Sequence, residues 1–322
     1  MQSVSAEVLR SHLVLSRASV SPGDRAAITA AVRVGALVCV LRGAYLPSSV
    51  WVPLQPEDRH RVRVLVASEL HDVRRYGEFV ASHHSAAALW RLPWSGDWPA
   101  AVHTVVDREA GGRSSRSIVR HTIGVPRGIE RIDEVAVTAL GSTVVSIASC
   151  SAFRSSVVLA DAALRRTAHP IGALPQSRLT RAVLERSVAE LPLRHGSARA
   201  RAVVEFASGL ADRPGESHSR VSMRIARIPM PELQVELRGA SGKRYFADFW
   251  WDEFNHIGEF DGKSKYSDPE FLRGRSPHQV LLDEKHREDD LRAAGHGFSR
   301  WGWQTAVSPR LLAEQLARAG IR

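Results

Sequence analysis

Four side chains in residues 247–263, ADFWWDEFNHIGEFDGK, carry the chemistry that stands out in this chain: Asp248, Glu259, Asp261 and Lys263. The ends of the segment alternate apolar and polar residues as half-buried strands do. DEFN, at 252–255, supplies turn-forming residues. A turn centred between Glu253 and Phe254 sets Asp248 directly opposite Glu259 on adjacent antiparallel strands, with β-carbons roughly 4.5–5.5 Å apart. Period-two alternation then puts Glu259, Asp261 and Lys263 on one face. Like charges placed directly opposite each other destabilise a sheet. A hard divalent cation, which prefers carboxylate oxygens, would make the arrangement sensible. Such a cation polarises a phosphoryl oxygen and lowers the pKa of an attacking water, and a nearby lysine can hold the developing negative charge. The bland alternative is a solvated polar face with chance charges.

The charge distribution bears on what the chain could bind. Residues 1–204 hold 26 Arg, no Lys and 16 acidic side chains, whereas 205–322 hold 18 basic and 18 acidic ones. The net charge of +10 therefore lies in the first two-thirds, which favours a polyanionic partner. A genome that merely prefers arginine would give the same count. Against 40 Arg there are four Lys (Lys243, Lys263, Lys265 and Lys285), so a lysine marks a position where a compact ammonium is wanted. At 322 residues and 44% apolar content, two or three globular domains are expected. No apolar run is long enough to span a bilayer, and no basic stretch precedes an apolar core at the start. The expectation is a cytoplasmic protein without membrane association. Cys39 and Cys150 sit in apolar contexts without metal spacing and read as two buried thiols.

The elements that must position these groups can be read in order. Ser21 is a plausible N-cap with Pro22 at the first helical position and Gly35 as the stop, and ALVCVLRGAYLP follows as a β-rich segment with a Gly-centred bend. A short helical array ending in a hairpin is what a winged helix-turn-helix requires, and we place it at 1–56. A small α/β region follows at 57–170. Within it, His83 and His84 beside Ser85 read as packing residues, because no carboxylate is placed to orient an imidazole. Residues 171–204 read as an arginine-dotted helical linker. From 205 to 322 the order is α-β-β-β-α-β. Its first helix carries Val221, Ile225 and Ile228 on one stripe, and its second opens with a capping box at Ser276 and Gln279. Val280, Glu284, Arg287, Leu291 and Ala294 form one stripe of that second helix. Glu284 and Arg287 thus share its semi-buried face, either supporting the carboxylates or a phosphate, or as a local ion pair. Trp250, Trp251, Trp301 and Trp303 read as core or sheet-face residues.

Two family resemblances rest on these residues. AAVRVGALVCVLRGAYLP resembles the amino-terminal winged helix of AbiEi-type antitoxins of type IV toxin–antitoxin systems, with Arg42, Gly43 and Tyr45 at the wing positions. The likeness continues through ASHHSAAALWRLP, VHTVVDR and residues 134–166. It implies DNA contacts by Arg33, Arg42 and Tyr45, and a cognate toxin or self-association as a possible partner. In 205–322, ADF, GEFDG, DEKHREDDLRAAG and FSRWGW resemble the Vsr-like, DUF559 branch of the PD-(D/E)XK nuclease superfamily. That resemblance implies a restriction-endonuclease-like αβββαβ core, with Asp248 and Glu259 as ligands of Mg²⁺ or Mn²⁺. It also makes Glu216 an acidic residue near the metal. Asp261 stands where the superfamily's lysine usually stands, as a further ligand or base, and Lys263 is the candidate substitute for that lysine. The fold class expected is multidomain α+β and α/β. The function expected is metal-dependent hydrolysis of phosphodiester bonds in double-stranded DNA; the alternative is a catalytically inactive DNA-binding antitoxin or transcriptional regulator.

Overall fold

A computed structural model describes residues 6–16, 21–107, 114–122, 128–172, 174–176, 178–190, 196–262 and 276–322. The chain forms two compact units, one of 1–159 with 166–205 and the other of 160–165 with 206–322. The architecture is mixed α+β with a separate sheet system in each unit.

The first unit begins with α1 (Ala6–His12), β1 (Val14–Leu15), α2 (Pro22–Arg33), β2 (Leu37–Leu41) and β3 (Ala44–Pro47). The Ser21 and Asp24 side chains close a reciprocal capping box at the start of α2. β2 and β3 form a tight hairpin that turns at Arg42 and Gly43, where Gly43 takes φ +84°, open to a residue without Cβ. β1 completes a three-stranded antiparallel sheet in the order β1-β3-β2. A strand thus stands between α1 and α2 in this helix–strand–helix–hairpin segment. Next come α3 (Ser48–Trp51), α4 (Pro56–Glu69), α5 (Val73–Tyr76), β4 (Val80–Ala81), α6 (His83–Leu89), β5 (Val102–Val105), β6 (Ile118–His121), β7 (Ile129–Ile132) and β8 (Val135–Thr138). The five strands form a mixed sheet, β6-β5-β4-β8-β7, in which β5 pairs with β6 in parallel and β4 antiparallel. Buried Trp90 ties the end of α6 to this sheet by donating to the Thr138 carbonyl at 2.9 Å. Helices α7 (Leu140–Cys150), α8 (Phe153–Arg165), α9 (Arg181–Ala189) and α10 (Ser197–Phe206) follow. Cys39 and Cys150 are exposed, contrary to the buried thiols expected. Their apolar neighbours misled, because Cys39 lies on the outer side of β2 and Cys150 is the last residue of α7.

The second unit runs α11 (Pro214–Ala226), β9 (Glu232–Arg238), β10 (Arg244–Trp251), β11 (His256–Phe260), α12 (Pro277–Ala293), β12 (Gly297–Trp301), α13 (Trp303–Val307) and α14 (Pro309–Ala317). Its sheet has the order β12-β11-β10-β9, parallel between β11 and β12 and antiparallel elsewhere. Its apolar residues form two clusters. Met223, Phe249, Trp251, Phe260, Trp301, Leu312 and Leu316 belong to one, and Ala247, Trp250, Ile257, Leu291 and Phe298 to the other. The capping box at Ser276 and Gln279 opens α12, and Val280 and Leu291 on its expected stripe are buried.

Two expectations fail here. Ile225 is 58% exposed, and Trp303, expected in the core or on a sheet face, opens α13 and is 50% exposed. The buried stretch of α11 is largely polar instead, Gly215 to Met223. It tolerates burial because its polar groups are satisfied: Ser222 Oγ donates to the Ala306 carbonyl at 2.7 Å, and Ser219 Oγ accepts from Trp301 Nε1 at 2.8 Å. The Arg220 guanidinium meets Asp161 at 2.7 Å, and Asp161 also accepts from Ser217 Oγ and the Ser208 N–H.

Candidate functional site

The hairpin of β10 and β11 has the expected register: Phe249 pairs with Gly258, Trp250 with Ile257 and Trp251 with His256. A 3-10 turn at Asp252–Phe254 and Asn255 in the left-handed region close it. This register sets Asp248 opposite Glu259. On the other side of β10, pairing with β9 skips one position, between Ala247–Val235 and Phe249–Leu233. The skipped position holds Asp248 and Gln234, and Gln234 takes φ +53°. At the same point Ala247 packs in one apolar cluster and Phe249 in the other. The left-handed backbone at Gln234 interrupts the ladder at Asp248 without shifting the register.

The Asp248 carboxylate accepts the Phe260 N–H at 3.1 Å on Oδ2 and lies 3.4 Å from Gln234 Nε2 on Oδ1. The same Gln234 nitrogen lies 3.5 Å from Glu216 Oε2. Glu216 is buried in the first turn of α11, where its Oε2 also accepts the Asp212 N–H at 2.7 Å. Burial, and after it the charge of Asp248, pushes the Glu216 carboxyl up to about 8. Gly215 allows this approach, since a Cβ there would stand 2.0 Å from the Phe260 ring.

Glu259 is buried and held by two guanidinium groups, Arg287 Nη1 at 2.5 Å and Arg300 Nη2 at 3.3 Å. Arg300 also meets Glu284 at 3.5 Å and Glu288 at 3.3 Å. The α12 face therefore grips Glu259 both directly, through Arg287, and through Arg300, with Glu284 as counter-ion. Asp261, half-buried, lines a cleft of about 800 Å³ with Arg213, Gly215, Phe260, Arg300 and Trp303. Its Oδ1 is buried with no hydrogen-bond partner among the described residues. Lys263 and Lys265 lie outside the described residues. In the first unit Arg33 and Arg42 are exposed, and Tyr45, half-buried on β3, pairs with Cys39 and Val14.

The structure thus brings Glu216 to Asp248 and sets Asp248 opposite Glu259, while the Glu259 carboxylate is engaged by arginines. Arg300 and Gln234 join the site without being singled out by the sequence pattern. The RW pair on β12 was the available signal for Arg300; Gln234 acts through a backbone distortion that no residue pattern announces. His83, expected as a packing residue, lies in a histidine cluster of the first unit, where His83, His103 and His121 have ring contacts with one another. Burial, and next the neighbouring imidazoles, lowers His103 to about 3, and burial lowers His121.

The carboxylates are oxygen donors of the kind Mg²⁺ or Mn²⁺ prefers, but among the described residues no three of them bring a donor atom each within 4.8 Å of the others. Comparison with known proteins finds no matching family model and no matching solved structure. Two uncharacterized proteins of Mycobacterium tuberculosis, from strains CDC 1551 / Oshkosh and H37Rv, are each 29% identical over 206 residues. The match covers 64% of this chain and 71% of theirs.

Proposed function

We propose that the second unit is a restriction-endonuclease-like core that hydrolyses DNA phosphodiester bonds with a divalent metal, and that the arginine-rich, winged-helix-bearing first unit binds the duplex. The observation that carries this reading is the Glu216–Asp248 pair: a buried and a half-buried carboxylate that share one glutamine amide nitrogen. Like charges so placed favour either a retained proton or a bound cation. Asp248 and Glu216 would hold Mg²⁺ or Mn²⁺, with Asp261 and Glu259 as the further ligands. The metal, when bound, supplies polarisation of the phosphoryl oxygen and a more acidic water.

The chain's own residues do the rest. The Phe260 N–H orients Asp248, and Arg287 and Arg300 fix Glu259. Arg300 also lines the cleft beside Asp261, where a phosphate would meet it. Lys263 would hold the developing charge. The test is metal-dependent nicking or cutting on a panel of single- and double-stranded DNA and RNA, with Glu259→Gln as the control. Cleavage of duplex DNA by the wild type and its loss in the variant are expected.

The double engagement of Glu259 favours a second reading, a catalytically inactive DNA-binding antitoxin or transcriptional regulator of the same fold. It predicts salt-sensitive duplex binding and no cleavage with any divalent metal.

A further inference from the structure

We propose that His83, His103 and His121 form a binding site for a divalent transition-metal ion of the Zn²⁺ type. One ligand nitrogen from each ring can be chosen so that all lie within 4.8 Å of one another. The sheet brings them together. His103 on β5 and His121 on β6 lie on one face, since the parallel register pairs Val105 with His121. His83 follows β4, whose end is fixed when the Ser82 N–H donates to the His103 carbonyl at 3.0 Å.

The geometry suits nitrogen ligation. His103 Nδ1 and His121 Nε2 are 3.0 Å apart. Two nitrogens each ~2.0–2.1 Å from a tetrahedral zinc lie about 3.3 Å apart, so a small inward-facing set of this size needs little rearrangement. The His83 ring stacks on His121 with centroids 3.7 Å apart and planes 15° from parallel, so the His83 ring must tilt for its lone pair to meet the same ion. Its Nδ1 contacts Ser82 Oγ at 3.2 Å, which leaves Nε2 for a metal and holds the ring as an outer hydrogen bond does in metal sites. Ser85 Oγ accepts the His103 backbone N–H at 2.8 Å and steadies that strand.

The backbone gives an independent observation. His83 takes φ +48° while buried, a conformation strained for a residue with a side chain. A mere packing residue at this position would be better served by glycine or asparagine. His84, whose ring lies 5.5 Å from that of His103, has a buried Nδ1 without a hydrogen-bond partner among the described residues. An all-imidazole set selects zinc, cobalt, nickel or copper rather than magnesium. Three protein ligands leave a fourth position open for water or an exchangeable group. This site is separate in residues and in ligand chemistry from the carboxylates of the second unit.

The experiment uses the untagged full-length chain, stripped with a chelator and titrated with Zn²⁺, with Co²⁺ as a spectroscopic probe. One Zn²⁺ per chain and the intense visible bands of tetrahedral Co²⁺ are expected. His103→Ala and His121→Ala should each weaken Zn²⁺ binding by more than about 100-fold, beyond what loss of an outer contact costs. Arg310→Ala, at an exposed ion pair with Glu314, should leave the stoichiometry unchanged. Absence of Zn²⁺ binding and of Co²⁺ bands in the wild type would overturn the proposal without recourse to any variant. Unchanged affinity in folded His103→Ala, with far-UV circular dichroism as the check, would overturn it equally.

Discussion

Glu216 on α11 and Asp248 on β10 converge on one amide group, Gln234 Nε2, at 3.5 and 3.4 Å. A single N–H₂ cannot neutralise two carboxylates, and burial makes the second negative charge more costly still. Glu216 accordingly keeps its proton up to about pH 8 in the folded chain, far above the usual carboxylate range.

That retained proton sets a pH dependence. Between the ordinary glutamate pKa near 4.3 and about 8, the folded state binds the proton that the unfolded state has released. The contribution is therefore fully present below about pH 4 and is lost as pH rises through 8. Thermal unfolding without divalent metal should show this decline, and Glu216→Gln should remove it and be the more stable form at pH 8. Adding Mg²⁺ should raise the wild-type Tm more at pH 8 than at pH 6, because the cation competes with the proton. Identical pH profiles for wild type and Glu216→Gln would contradict this picture of the pair.

Gly215 is where α11 touches the sheet, and a methyl group there meets the Phe260 ring at 2.0 Å. Gly215→Ala is expected to cost about 1–3 kcal/mol by overpacking and to displace Glu216 from Asp248. Urea denaturation reads the first effect, and loss of the Mg²⁺-dependent rise in Tm reads the second.

Asp161 and Arg220 form a buried pair at 2.7 Å, with Arg220 Nη2 also donating to the Phe206 carbonyl at 2.6 Å. Arg220→Ala strands a buried carboxylate, whose pKa burial already raises. The expected loss is about 3–5 kcal/mol in chemical denaturation. Replacing Arg310, in an exposed pair with Glu314, should change stability by less than about 1 kcal/mol.

Arg33 and Arg42 are exposed on the helix and hairpin of the first unit. If they contact phosphates, each alanine substitution should weaken duplex binding uniformly across sequences and reduce the slope of log K against log salt by about 1. Fluorescence anisotropy at several salt concentrations measures both quantities.

The second unit was readable from sequence because its signals are local and agree with one another. Alternation over 244–251, the DEFN turn and the capping box at Ser276 each specify an element, and together they fix the register that sets Asp248 opposite Glu259. What escaped is non-local. The break between β9 and β10 at Gln234, the arginine grip on Glu259 and the polar burial of α11 arise from packing between elements distant in sequence. The histidine cluster escaped for the same reason: His83, His103 and His121 share no ligand spacing, and the parallel pairing of β5 and β6 assembles them. The exposed thiols, and Ile225 and Trp303, show how weakly composition alone decides burial at the end or outer side of an element.

Nuclease chemistry at Asp248 is tested by the rate of supercoiled plasmid cleavage by the full chain at pH 8, with Mn²⁺ or Mg²⁺, against Asp248→Ala at equal concentration. Metal-dependent nicking by the wild type is expected, abolished by chelator and reduced at least about 1000-fold in the variant, a loss comparable to removing a main electrostatic contributor to the transition state. Equal cleavage by both proteins, or none by a folded, DNA-binding wild type with either metal, would contradict it.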